Sequence, residues 1–277
     1  MKKIIEIIQE ATQTRATIGC GLTLAVPPEQ SLGSLLLPLC NNNPDVDVMI
    51  GIPWWEAPLN VPDVVACELE ANEKPKWINR ALAALGTKIY LCTKLEKLSE
   101  GYIRIVLADA MGEAIDDRIL TGEGADGLMG VIGGSTSVAV KNKTAGIVTL
   151  ADIDVMVSGL RPRFQPDCVL GVNNTDWAGL KAEAKSLQCC GRIDEAAQTI
   201  DGRRTVISGA VARGKACAFN PTRFLVGGGG ISVGECSDCG NIGKWLPVSA
   251  WIAGGLSGTP LYGWASGVYL DGTAETP

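Results

Sequence analysis

LADAMGEAIDDRILTGEGADGLMGVI, residues 107–132, is the stretch on which the fold turns. Its first half ends a helix predicted over 99–120, with Ser99 as the candidate N-cap. Asp109, Glu113, Asp116 and Asp117 fall at i, i+4, i+7 and i+8 and form one acidic stripe. Ile103, Val106, Leu107, Ala110, Met111, Ala114, Ile115 and Ile119 make the rest of the circumference apolar. A helix of roughly 33 Å, buried on most faces, is expected to be the spine of a domain, with the stripe as its solvated side. As catalytic carboxylates, Asp116 and Asp117 are poorly placed, because adjacent helical residues point in different directions. The second half, Gly122 to Gly127, follows a helix C-terminus. Carbonyls and negative partial charge gather there, which is the wrong pole for phosphate, and Glu123 and Asp126 add to the mismatch. The expectation is Gly122 as C-cap, with Gly124 and Gly127 in the tight turn that follows.

Upstream, residues 63–92 read as a two-stranded excursion. A strand is predicted over 64–69 and a polar tip over 70–77, carrying Glu73, Lys74, Lys76 and Trp77. A returning strand over 87–93 sets Ile89 and Leu91 against Lys88 and Tyr90. A lone hairpin is marginal in water, so this one needs another surface to lie on. Before it, residues 17–60 are charge-poor and rich in proline, which forbids long helices. A short helix is predicted over 2–13.

Downstream, a helix over 150–160, a basic turn over 161–166 and a buried strand over 168–172 are predicted. A helix over 176–187 follows, capped by Asn174 or Thr175. Strand-like segments resume over 205–233, with a flexible glycine run at 227–230. Residues 245–270 carry no charge, a length that could span a bilayer. Pro247, Pro260 and five glycines interrupt them, so short buried strands joined by turns are expected and a membrane span is not.

The whole chain has 277 residues, 46% apolar and 19% charged, enough for a core and too hydrophobic for intrinsic disorder. Its net charge of -6 argues against a dedicated nucleic-acid grip. It contains no histidine, which excludes Ser-His-Asp and Cys-His machinery and any His-ligated metal. Ten cysteines are scattered, and most read as buried thiols in a reducing compartment. Cys236 and Cys239 form a single C-x-x-C with no second pair at metal spacing, so neither metal nor cofactor is expected.

Three segments in this order resemble the major capsid proteins of tailed phages, the HK97-like fold that encapsulin shells share. Residues 107–132 look like that family's spine helix running into its G-[DE]-G…G-[IVL] loop. TKIYLCTKLEKLS (87–99) resembles the strand returning from its extended loop, and DIDVMVSGLRPRFQPDCVLGVNNTDWAGLK (152–181) resembles its axial-domain pattern. The resemblance covers about 63–190 and implies an α+β fold. It divides the chain into an N-terminal arm (1–60), an extended loop (63–92), a peripheral domain with the spine helix (93–124) and an axial domain (125–215). Return strands to the peripheral domain and a C-terminal extension (216–277) complete it; that last region is richer in Gly and Trp than the family pattern.

The resemblance further implies pentamers and hexamers in an icosahedral virion capsid, assembled in the host cytoplasm around double-stranded DNA touched non-specifically. A separate scaffolding protein, a portal and a cement protein are the implied partners. Glu73, Lys74, Lys76 and Trp77 at the loop tip would touch a neighbouring subunit. No Asn partner or catalytic Glu can be matched, so no cross-link is expected. The alternatives are an encapsulin-like cargo shell, a decoration or tail protein, or a soluble α/β enzyme using Glu123, Asp126 or the Asp116-Asp117 pair with a metal.

Overall fold

The computed structural model describes residues 22–25, 34–43, 45–46, 48–56, 75–92, 100–124, 127–233 and 243–274. The helix expected over 2–13, the strand over 64–69, Ser99, Glu73, Lys74, Asp126 and the Cys236–Cys239 pair lie outside them.

In chain order the described strands are β1 (Leu22–Ala25), β2 (Asn41–Asn43), β3 (Met49–Trp54), β4 (Lys76–Ala81) and β5 (Ala83–Cys92). Helix α1 (Glu100–Thr121) follows, then β6 (Val138–Asn142), α2 (Leu150–Ser158), β7 (Val169–Val172) and α3 (Asn174–Ser186). The chain continues through β8 (Ile193–Asp194), β9 (Thr199–Ile200), β10 (Arg203–Ile207), β11 (Ala216–Phe219), β12 (Phe224–Val233), β13 (Gly243–Leu256) and β14 (Gly267–Ala274).

A seven-stranded mixed sheet in the order β6-β14-β11-β7-β10-β9-β8 lies between two helical layers. Side-chain alternation builds both interfaces. Leu170, Val172, Ala216, Ala218, Val268 and Leu270 pack with α2 and α3 residues such as Ile153, Met156 and Leu180. Val169, Val206, Cys217 and Phe219 belong instead to the core that holds Ile115, Ile119 and Leu120 of α1. Strands covered on both faces read as continuous apolar runs, and every residue of β7 and β11 is buried. Gly171 permits the close approach of the spine, since a Cβ there would stand 2.6 Å from Leu120.

A second sheet runs β1-β12-β13-β5, with β2 also pairing β12. Its long antiparallel pair, β12 with β13, corrects two expectations. The glycines at 227–230 are strand rather than flexible linker, with a bulge between Gly228 and Gly230. Gly227 and Gly228 are closely crowded: a Cβ on Gly228 would stand 2.4 Å from the Trp251 carbonyl. Pro247 lies inside a 14-residue strand rather than in a turn. The pairing with β12 ends at Val248, so among the described residues Pro247 faces only Lys88 of β5. The charge-free stretch thus forms β13 and β14, and no described helix is long and apolar enough to cross a membrane.

The helices begin close to where the sequence places them. Thr149 and Asp152 form a reciprocal capping box on α2. Asn173, one residue before the expected caps, holds α3 by accepting from the Thr175 amide at 2.8 Å. The last strand, β14, returns to the seven-stranded sheet, so the 216–277 segment divides between both sheets.

Candidate functional site

Helix α1 carries the acidic stripe, and the structure divides it between an exposed and a buried part. Asp109 and Glu113 are exposed. Asp116, expected on a solvated face, is buried at 6% exposure. The reason is the segment before β2, which crosses the helix. Asp116 accepts from Ser34 Oγ at 2.5 Å, from the Leu35 amide at 2.7 Å and from the Leu36 amide at 3.0 Å. Ser34 Oγ in turn accepts from the Leu37 amide at 2.9 Å. The carboxylate therefore caps a tight turn over 34–37, and Leu36, Leu37 and Cys40 drop into the core beside Ile115 and Ile119. Ala110, expected on the apolar circumference, is exposed.

Burial raises the Asp116 carboxyl above its ordinary range, against the pull of its three donors, and neighbouring Asp117 pushes the same way. Cys40 is pushed up to about 12 by burial first and by Asp116 second. Asp117 accepts from Ser208 Oγ at 2.5 Å, tying α1 to the residue after β10. The stripe, Leu35, Asn174 and residues 206–209 line an open cleft of about 450 Å³. Nothing in the one-dimensional pattern pairs Asp116 with residue 34. The signal was local, a serine three residues ahead of a Leu-Pro-Leu turn.

The turn after α1 is a seam between backbones. The Gly122 amide donates to Arg118 O at 2.9 Å, as a helix end does, and the Gly130 amide donates to Gly122 O at 2.7 Å. A Cβ on Gly122 would stand 2.4 Å from the Leu128 carbonyl, and one on Gly127 2.3 Å from the Ile252 carbonyl. Gly124 and Gly127 both take φ of +83°. Glu123 is exposed and bridges Met129 through backbone alone. Among the described residues no cluster of three or more His, Cys, Asp or Glu could hold a metal ion.

Of the four proposed loop-tip residues, the described ones are Lys76 and Trp77, and both sit in strand rather than turn. Lys76 pairs with Trp54 and Trp77 with Pro53. Lys76 forms an ion pair with Glu56 and lies 5.3 Å from the Trp54 ring. Trp77 is 60% exposed, Met49 at the start of the adjoining strand is 53% exposed and Val48 just before it 71%. Among the described residues the β3–β4 ribbon thus presents an exposed aromatic and aliphatic surface.

The sequence matches no protein-family model and no curated protein. Solved structures do match. The capsid of an empty GTA particle aligns over 95% of both chains at 14% identity with a TM-score of 0.59. A structure named for Mycobacterium phage Bobi aligns over 100% of this chain and 98% of its own, at 14% identity and 0.52. The encapsulin complex of Synechococcus elongatus aligns over 99% and 98%, at 13% identity and 0.52. A spine helix and a seven-stranded sheet sharing one core, a second sheet that carries the returning strand β5, and these full-length superpositions give one result: the chain has the HK97-like fold of phage capsids and encapsulin shells.

Proposed function

We propose that this chain is the major capsid protein of a tailed phage, assembling in the host cytoplasm into an icosahedral shell around double-stranded DNA. The observation that carries the reading is the superposition on the capsid of the GTA particle over 95% of both chains. Each segment has a place in a shell. Residues 1–60 act as an arm and 63–92 as an extended loop, with Lys76 and Trp77 against a neighbouring subunit. The stretch 93–124 forms the peripheral domain and 125–215 most of the axial domain, to which β11 and β14 from the 216–277 region also add. Repetition of modest contacts over pentamers and hexamers then gives a stable particle. A separate scaffolding protein, a portal and a cement protein are the partners of such a shell, and the DNA is contained rather than gripped.

The test is the mass and content of purified particles, by sedimentation and negative-stain microscopy. Closed shells protecting DNA from nuclease, or capsomers of five and six, support the proposal. Shells of the same wall containing a protein cargo and no DNA would assign the encapsulin use of the fold. A 29 kDa monomer under all conditions, including co-expression with viral proteins, would refute both.

A further inference from the structure

The basic turn after α2 brings three arginines together around one aromatic ring. Arg161, Arg163 and Arg223 converge on a single ring, with guanidinium carbons 5.9, 5.6 and 5.2 Å from the centre of Phe164. Arg161 also lies 5.4 Å from the Trp264 ring, which is 43% exposed. Stacking on a ring holds the three side chains but leaves their charge uncompensated. Among the described residues none of the three forms an ion pair, whereas Arg192 and Arg203 both do. After burial, the largest influence on Arg223 is repulsion from Arg163 and Arg161, with no carboxylate opposing it.

The support beneath is fixed. The Arg161 amide donates to Ala265 O at 3.0 Å, and Arg223 O accepts from the Ser257 amide at 2.8 Å. Gly159 lets Tyr262 close over the end of α2, since a Cβ there would stand 2.7 Å from that ring. Three cations held together by packing alone form a platform for an anion that the subunit does not supply.

The same fold presents the complementary surface at its opposite end. β7 and β10 are parallel. The arginine turn precedes β7, at the N-terminal ends of these strands. The acidic cleft lies past their C-terminal ends, where Asn174, Ser208 and Gly209 line it with the stripe of α1. Asp109 and Glu113, exposed on that stripe, make no ion pair among the described residues. Opposite charges at opposite ends cannot meet within one subunit. They can meet only between copies arranged head to tail, a heterologous contact that generates a ring when the rotation closes.

We propose that the Arg161–Arg163–Arg223 platform of one copy docks on Asp109 and Glu113 of the next copy within a capsomer. This rests on the shell reading and names one contact in it. Charge complementarity of this kind fixes register and partner more than it adds raw affinity.

The test is charge reversal in the full-length chain, scored by sedimentation at about 0.15 M salt, where surface charges are still felt over ~8 Å. R161E/R163E alone, and D109R/E113R alone, should raise the concentration needed for particles by about tenfold or more, since each sets like charges face to face. The combined four-site variant should return to within about twofold of wild type. Circular dichroism confirms folded subunits, and should R161E/R163E fail to fold, R161Q/R163Q tests the same contact by its weakened salt dependence. Charge-reversed variants that assemble like wild type, or a four-site variant no better than either parent, overturn the pairing while leaving the shell intact. Normal R161E/R163E particles devoid of nucleic acid overturn it too and give the platform to a polyanion. A wild-type chain that never assembles overturns the shell and the contact together.

Discussion

Replacing Asp116 with alanine removes the anchor that holds the 34–37 turn to the spine helix. Two amides and a hydroxyl lose their acceptor, at 2.7, 3.0 and 2.5 Å. A hydrogen bond to a charged group contributes about 1.5–3 kcal/mol, so three taken singly overshoot. Desolvation of the carboxylate opposes them and wins enough to raise its pKa. Breaking one side of a buried charged network costs about 3–5 kcal/mol, and the lower end is expected here. Hydrogen exchange is the direct assay. The Leu35 and Leu36 amides should exchange on the order of a hundredfold faster, since each ~1.4 kcal/mol is tenfold, while the Leu170 amide in β7 changes far less. The pH dependence has a definite sign. A carboxyl raised in the folded state binds its proton more tightly there. Its contribution is therefore fully present below the ordinary value near 3.9 and fades as pH rises through the folded value. The stability gap between wild type and Asp116→Ala should widen on acidification. Unchanged protection at Leu35 and Leu36, or a gap that narrows with falling pH, would refute the anchor.

Gly122→Ala should destabilise by at least about 2 kcal/mol in denaturant titration, because backbone oxygens at 2.4 and 2.6 Å leave no room; a loss under about 0.5 kcal/mol would show the seam to be loose. Trp77→Ala, at a 60% exposed site, should reduce particle yield with the subunit melting temperature held within about 2 °C; an unfolded subunit would reassign that strand to the monomer core. The thiols of Cys40 and Cys217, raised to about 12, and of Cys168, raised to about 11, chiefly by burial, should resist alkylation at pH 8 in native protein. Rapid labelling of Cys217 would contradict its burial. Arg192→Ala breaks a bridge to Asp154 and Asp201 and, on a solvent-facing surface, should cost about 1 kcal/mol or less, shrinking with salt.

What could be read from sequence follows the range of the interactions involved. The spine appears in its 3.6-residue period, and Leu150–Ser158, Val169–Val172 and Asn174–Ser186 appear because caps and apolar runs are local signals. The acidic stripe misled for a physical reason. Periodicity assigns a face to a helix without saying what covers it, and Ser34 lies 82 residues from Asp116. The basic turn was visible, yet Arg223 reaches it only because β11 and its 3-10 turn bring the chain back to Phe164. β13 was unreadable as one strand because Pro247 and its glycines are local breakers, and only pairing with β12 and β5 overrides them.

The glycines after the spine mark where two parts of the fold join. β5 accompanies β13 only as far as Ile252. Beyond that point the edge of β13 would be bare, and an unpaired edge invites foreign strands. Residues 127–129 take the vacant place: the Gly254 amide donates to Gly127 O at 3.0 Å, and the Met129 amide donates to Gly254 O at 2.9 Å. A Cβ on Gly254 would stand 2.3 Å from the Leu225 carbonyl, so side chains are barred on this stretch of β13 as well as on the turn. The spine helix is thus tied at its C-terminal end by backbone to the β12–β13 sheet, and through Asp116 to the 34–37 turn. Leu120 meanwhile rests on Gly171 of the seven-stranded sheet. Both sheets thus share one helix, so a change in the packing of either sheet is felt at α1 and through it by the other.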